Sequence, residues 1–398
     1  MSRAIILMMD SFGIGGAPDA EAFHNNGANT FAHIAQHFPE LRIPNLLALG
    51  LAQACQTASG SEVKINCPST SPFANFPHSF GCMKEVSKDK DTVSGHWEMA
   101  GLPNLNGWGH FKPDYPSFPQ QLIEQICNEG NISGILGNKA ASGTVIIQEL
   151  GEEHIQSGKP IFYTSADSNI QIAAHEQYFG LERLYRLCEV AYKHVQPYNI
   201  GRIIARPFIG EKSGAFTRTT NRRDYTAQPF GDTLLDCVCR AGGKVYAIGA
   251  INDIYAHRGI TTPIHATELP NLWDATLQAA KDAPDFSLIF TNFEDFDMLY
   301  GHRRNVEGYA RALEYFDSRL PELLKILRDD DMVFITADHG NDPTYEGTDH
   351  TREQVPALVF GKSAPLSPLG KRDTYADLGQ SVATWLGLPP LASGRSFL

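Results

Sequence analysis

Aspartates and histidines gather in two short stretches of the C-terminal half. One is Asp297-Met298-Leu299-Tyr300-Gly301-His302. The other is Asp338-His339-Gly340-Asn341-Asp342, with Asp349-His350-Thr351 behind it. A lone acid, Asp10, follows an apolar run at the N-terminus, and Lys90-Asp91-Thr92 leads into Val93-Ser94-Gly95-His96-Trp97-Glu98. Carboxylates, imidazoles and one hydroxyl make a ligand set for hard-to-borderline divalent ions. Two such ions can clamp both ends of an in-line phosphoryl displacement. Phosphoryl chemistry is therefore the first expectation.

Taken singly, each motif has a plainer reading. Asp-His-Gly is more often a turn than a ligand pair, and an acid after a strand can cap the next turn. Recurrence at strand ends shifts the balance toward metal binding. Asp297 and His302 are five apart, which adjacent turns of an α-helix do not align, so a loop or a frayed helix start should carry them. Thr92 is the candidate nucleophile, because an alcohol needs assistance near neutral pH and a neighbouring divalent ion supplies it. Ser11 and Ser94 are rival hydroxyls. Lys90 and the amides of a helix starting near Ser94 would favour a phosphate on Thr92. Gly13-Ile14-Gly15-Gly16 lacks the ending of a phosphate loop and is expected to make a tight turn. Arg206 and Arg222 suit phosphate oxygens. Asp167, with Ser165 and Ser168, suits sugar hydroxyls.

These residues need a scaffold. Apolar runs Ala4–Met9, Lys244–Ile248, Phe286–Thr291, Met332–Ala337 and Val355–Phe360 each end in a polar or glycine turn. They read as buried parallel strands. Helical patterns at Thr30–His37, Thr233–Ala241, Asn271–Asp282, Asn305–Arg328 and Tyr375–Leu386 alternate with them. That alternation predicts an α/β fold with a mainly parallel sheet between helices. Ligands of such sheets collect beyond the carboxyl ends of the strands. From about Trp108 to Pro229 the chain turns rich in Gly, Pro and aromatics and carries elements of its own. The expected division is a metal-binding catalytic core of residues 1–107 and 229–398 and an inserted smaller α/β cap, the substrate-binding domain, of residues 108–228.

The chain has 398 residues and a formal charge of -12. Such an acidic balance disfavours nucleic acid as a partner. No apolar stretch reaches membrane length. The seven cysteines show no zinc-like pairing, and an odd count in a long chain suggests reduced thiols and a cytoplasmic location. A small molecule is the expected partner. The sequence sets no oligomeric state, and a monomer is compatible with it.

The motifs together resemble the bacterial phosphopentomutase family of the alkaline phosphatase superfamily. The likeness runs through Asp10-Ser11-Phe12-Gly13, Lys90-Asp91-Thr92, Gly95-His96-Trp97-Glu98, Tyr163–Ser168, Ile204–Phe208, Asp297–Arg303, Asp338–Asp342 and Thr348–Glu353. It implies an alkaline-phosphatase-like core and a site for two Mn²⁺ ions. Asp297, His302 and His350 would hold one ion, and Asp10, Asp338, His339 and the Thr92 oxygen the other. It further implies a phospho-threonine at Thr92 that exchanges phosphate with ribose (or 2-deoxyribose) 1-phosphate and 5-phosphate through a bisphosphate. A sugar bisphosphate, glucose 1,6-bisphosphate or ribose 1,5-bisphosphate, would prime the cycle. Ser165, Asp167, Arg206 and Arg222 would hold the sugar and its other phosphate. Two positions depart from the family pattern. Ala250 replaces a lysine, and Asn169 replaces a small apolar residue beside the sugar. The alternatives are a metal-dependent sugar-phosphate phosphohydrolase, a cofactor-independent phosphoglycerate-mutase-like enzyme, or a sugar-phosphate sensor without activity.

Overall fold

The computed structural model describes residues 2–67, 70–165 and 168–398. The chain divides into two compact units, residues 1–106 with 228–398, and residues 107–227.

The first unit is built on an eight-stranded sheet. Its order is Thr262–Ile264, Lys244–Ile248, Ser287–Asn292, Arg3–Met8, Asp331–Thr336, Val355–Phe360, His78–Met83, Gly370–Arg372. The three central strands, Ser287–Asn292, Arg3–Met8 and Asp331–Thr336, are buried along their whole length, as strands covered on both faces must be. They are parallel and in register, with Met8 beside both Asn292 and Thr336. Their carboxyl ends therefore lie level. A buried ion pair, Arg3 Nη2 to Asp331 Oδ2 at 2.6 Å, pins the opposite end.

Val355–Phe360 corrects an expectation. It is antiparallel to both of its neighbours. A buried apolar run looks the same in either direction, so composition could not show this. The reversal matters for function. A residue just before this strand, such as His350, arrives at the same edge that the parallel strands reach with the residues after them.

The second unit holds a smaller mixed sheet, ordered Leu136–Ala140, Ile161–Thr164, Asn169–His175, Arg202–Ile209, Thr217–Arg218, with Arg223–Thr226 also paired to Arg202–Ile209. Helices Gln120–Glu129 and Leu181–Val195 bury Leu122, Ile126, Leu184 and Leu187 in a cluster with Ile170, Ile172 and Ile203. Helix Gly143–Ser157 buries Ile146 and Ile147 in a separate cluster with Ile161, Ala173 and Phe208. Successive strand residues face opposite ways, so these clusters occupy opposite faces of the sheet.

Candidate metal centre and polar relay

Three level strand ends bring Asp10, Asp297 and Asp338 to one edge of the first unit. Ligand atoms of Asp10, Asp338 and His339 lie within 4.8 Å of one another, as do those of Asp297, His339 and His350. His339 belongs to both groups. Its Nε2 is 3.6 Å from Asp10 Oδ1 and 3.4 Å from Asp338 Oδ2.

Asp297 and His302 are carried by a π-helical segment, Phe296–Gly301, rather than a loop or frayed α-helix. The His302 N–H donates to the Asp297 carbonyl at 3.0 Å. In a π turn that i to i+5 bond is the repeat itself, so a five-residue spacing becomes adjacency. His302 Nε2 is then 3.1 Å from Asp297 Oδ2 and 3.1 Å from His350 Nε2.

The imidazoles show what the cluster is made to hold. His302 Nδ1 lies 2.6 Å from the Thr348 carbonyl, His350 Nδ1 2.9 Å from that of Lys90, and His339 Nδ1 3.1 Å from that of Gly340. A carbonyl only accepts, so each Nδ1 carries a proton, and each ring in its neutral form turns its Nε2 lone pair inward. With both rings neutral, the Nε2 lone pairs of His302 and His350 face each other at 3.1 Å and cannot satisfy each other. Asp10 Oδ1 and Asp338 Oδ2 are buried and lack hydrogen-bond partners. Orphaned carboxylate oxygens beside inward lone pairs fit divalent cations.

The electrostatics agree. Burial, then the charges of Asp338 and Asp297, push the Asp10 carboxyl well above its ordinary range. Burial opposes charge on His350, yet Asp297 attracts it strongly enough to lift its pKa to about 9. Burial also works against the Asp297 carboxylate, but His350, His302 and His339 hold it well below the ordinary range. The pocket demands positive charge.

Thr92 opens helix Thr92–Met99, and its Oγ1 is 3.2 Å from His339 Nε2. The rest of that helix explains how it is held there. Glu98 is buried and accepts from the amides of Val86, Ser87 and Tyr375 and the hydroxyls of Ser87 and Thr374. Trp97 Nε1 donates to the Ile254 carbonyl at 3.0 Å. Gly95 permits the close approach, since a Cβ there would lie 2.1 Å from the Asp338 carbonyl oxygen. His96, 3.1 Å from Asp338 Oδ2, donates from Nδ1 to the Thr92 carbonyl at 2.8 Å.

The rival hydroxyls have other partners. Ser94 Oγ donates to Asp91 at 2.7 Å, and Ser11 Oγ meets Tyr309 at 3.3 Å. One sequence expectation needs correction. The first amides of the helix are taken: Val93 and Ser94 N–H both donate to Asp91 Oδ1, which caps the helix. Lys90 Nζ is engaged by Asp349 at 2.8 Å and by the His350 carbonyl at 2.5 Å. Lys90 thus braces His350. The glycine turn also has a more specific reason, because a Cβ at Gly13 would meet Glu353 at 2.1 Å. Asn292 and Asn341, which the motifs did not single out, donate to Asp10 at 2.7 Å and to Asp297 at 2.6 Å.

In the second unit, several expected substrate residues share one hydrogen-bonded chain. Asn169 Nδ2 donates to Ser165 Oγ at 2.7 Å, Gln171 Nε2 reaches Asn169 Oδ1 at 3.5 Å, and Arg206 Nε donates to Gln171 Oε1 at 2.9 Å. Gln171 is the link that motif reading missed. Arg222 stands apart from this chain and forms a bidentate pair with Asp224. Asp167 lies outside the described residues.

The fold and the acid–imidazole cluster define a metalloenzyme, and the Metalloenzyme superfamily model matches residues 2–390. Curated phosphopentomutases cover the whole chain and are covered whole by it. That of Elusimicrobium minutum is 58% identical over 398 residues, and that of Shewanella loihica 52% over 408. Among solved structures, PH0037 from Pyrococcus horikoshii is similar with a TM-score of 0.48, 12% identity and 97% of each chain covered. A phosphoglycerate mutase of Leishmania mexicana has a TM-score of 0.46 at 12% identity, covering 99% of this chain and 97% of its own. The chain belongs to the phosphopentomutase family, and it is an isomerase with an alkaline-phosphatase-like α/β core.

Proposed function

We propose that the protein interconverts ribose (or 2-deoxyribose) 1-phosphate and 5-phosphate through a phosphorylated Thr92 and a sugar bisphosphate. The observation that carries this is Thr92 Oγ1 at 3.2 Å from His339 Nε2, beside the unpartnered oxygens of Asp10 and Asp338. Asp297, His302 and His350 would hold one divalent ion, and Asp10, Asp338, His339 and Thr92 a second, with manganese the expected metal in both. Bound there, the ions would neutralise phosphoryl charge and favour the ionised alcohol.

The chain's own residues do the positioning. Asp91 and Glu98 hold the helix that presents Thr92. Thr348, Gly340 and Lys90 fix the histidine tautomers through their carbonyls. Phospho-Thr92 would give its phosphate to the free hydroxyl of the pentose phosphate and recover the other phosphate from the resulting bisphosphate. Glucose 1,6-bisphosphate or ribose 1,5-bisphosphate would supply the first phosphate. Lys90, Ser165, Asp167, Asn169, Arg206 and Arg222 are the proposed sugar-phosphate contacts, and the place of action is the cytoplasm, in nucleoside breakdown.

The test is conversion of ribose 1-phosphate by manganese-loaded protein primed with a bisphosphate. Ribose 5-phosphate should accumulate without inorganic phosphate. Release of inorganic phosphate in its place would make the protein a phosphohydrolase.

A further inference from the structure

The small sheet of the second unit gathers positive charge on one face. Phe208 is aligned with Arg218 across the antiparallel pair, and Arg206 lies two residues before Phe208 on the same strand. Side chains alternate, so Arg206 and Arg218 leave the same face as diagonal neighbours. Tyr163 and Gln171, aligned with each other, share that face. Helix Gly143–Ser157 begins flush against them. A Cβ at Gly143 would fall 1.6 Å from Arg218 Nη2 and 2.2 Å from the Tyr163 hydroxyl.

This cluster has too little negative charge of its own. Asp224 pairs bidentately with Arg222 and also lies 3.6 Å from Arg202. Among the described residues, neither Arg206 nor Arg218 has a carboxylate at ion-pair distance. Each is instead oriented by a neutral group. Arg206 Nε donates to Gln171, and Arg218 Nη2 donates to the Tyr163 hydroxyl at 3.1 Å. Arg218 Nε is buried with no hydrogen-bond partner. Burial, and then the charges of Arg222 and Arg218, depress the pKa of Arg206. Like charges held together, with an unfilled buried donor, are stabilised by an anion. A phosphate monoester, with three terminal oxygens and up to two negative charges, matches several planar forks where a single carboxylate would not.

We propose that Arg218 is a specificity-determining residue of the mutase reaction, joining Arg206 and Arg222 in a patch that binds the phosphate of the pentose phosphate, with Tyr163 fixing its guanidinium. This rests on the mutase function proposed for the chain.

Steady-state kinetics on metal-loaded Arg218→Gln test it. Loss of a charge-assisted contact should raise KM for ribose 5-phosphate about tenfold to a hundredfold. Competitive inhibition by inorganic phosphate should weaken in parallel, while kcat stays within about threefold. Tyr163→Phe, which removes one oxygen, should raise KM by a smaller factor. If Arg218→Gln does not fold, Arg218→Lys keeps the charge without the fork and should raise KM several-fold. Unchanged KM and phosphate inhibition, or a fall in kcat alone, overturns the role of Arg218. Failure of the wild-type protein to turn over ribose 1-phosphate overturns the mutase reading instead, so the two failures are distinct.

Discussion

Thr92 Oγ1 lies 3.2 Å from His339 Nε2, across a gap bordered by carboxylate oxygens that have no partner of their own. An alcohol so placed is positioned for reaction, whereas Ser11 and Ser94 are turned toward Tyr309 and Asp91. Thr92→Ala should lower kcat at least a thousandfold, on the order of a lost nucleophile, with little change in Tm. Thr92→Ser should keep measurable activity. Kinetics and thermal melts on both variants check this, and a fully active Thr92→Ala would contradict it.

Asp10 is crowded by Asp338 and Asp297 when no cation is present. Neutralising it should therefore not harm the metal-free fold. Metal-free Asp10→Asn should melt no lower than metal-free wild type at pH 8, because an amide oxygen can still accept from Asn292. Manganese at a hundred times its Kd should stabilise wild type by about 2.7 kcal/mol for each occupied site and the variant by much less. Melting curves with and without manganese, with metal analysis, decide the matter. Equal metal-induced shifts would remove Asp10 from the ligand set.

Gly95 abuts the Asp338 backbone, where a Cβ would sit 2.1 Å from the carbonyl oxygen. Gly95→Ala must push the Thr92 helix away from the ligand strand. About 1–3 kcal/mol of stability should be lost, the usual cost of overpacking, and kcat should fall more than stability alone explains. Denaturant unfolding and kcat on the same preparation measure both. A fully active, equally stable variant would show that the close approach is dispensable.

His33 Nδ1 and Asp342 Oδ2 are 2.5 Å apart. The hydrogen bond to Asp342 raises His33 above 6.5. Burial works against the Asp342 carboxylate, but His33 and the amide of Asn29 hold it below 3.8. The His33 contribution is complete below pH 6.5 and fades as pH rises through its raised pKa. That of Asp342 is complete above 3.8 and fades as pH falls through its lowered one. His33→Gln should thus cost most stability below pH 6.5, and progressively less as pH rises through the raised pKa of His33. Unfolding free energies across that range check it, and a pH-independent difference would refute it.

Much of the acid–imidazole cluster was legible in the sequence because its acids end apolar runs, and parallel strands deliver the residues just beyond them to one edge. Asp10 and Asp338 were readable for that reason. His350 was readable only as a motif, since nothing in Val355–Phe360 betrays its antiparallel direction. The Asp297–His302 spacing looked awkward because α-helical geometry was assumed, whereas a π turn makes it the natural repeat. Gln171 and Arg218 were not legible at all. Their types are common on strands, and their roles arise from cross-strand partners that no local pattern records.

The central claim is that Thr92 alone carries the transferred phosphate. Mass spectrometry of peptides from manganese-loaded protein, quenched after exposure to ribose 1,5-bisphosphate, tests it most directly. Phosphate on the peptide containing Thr92, absent from Thr92→Ala, is the predicted result. Phosphate on Ser11 or Ser94, or an unmodified Thr92 in an enzyme that turns over, would contradict it.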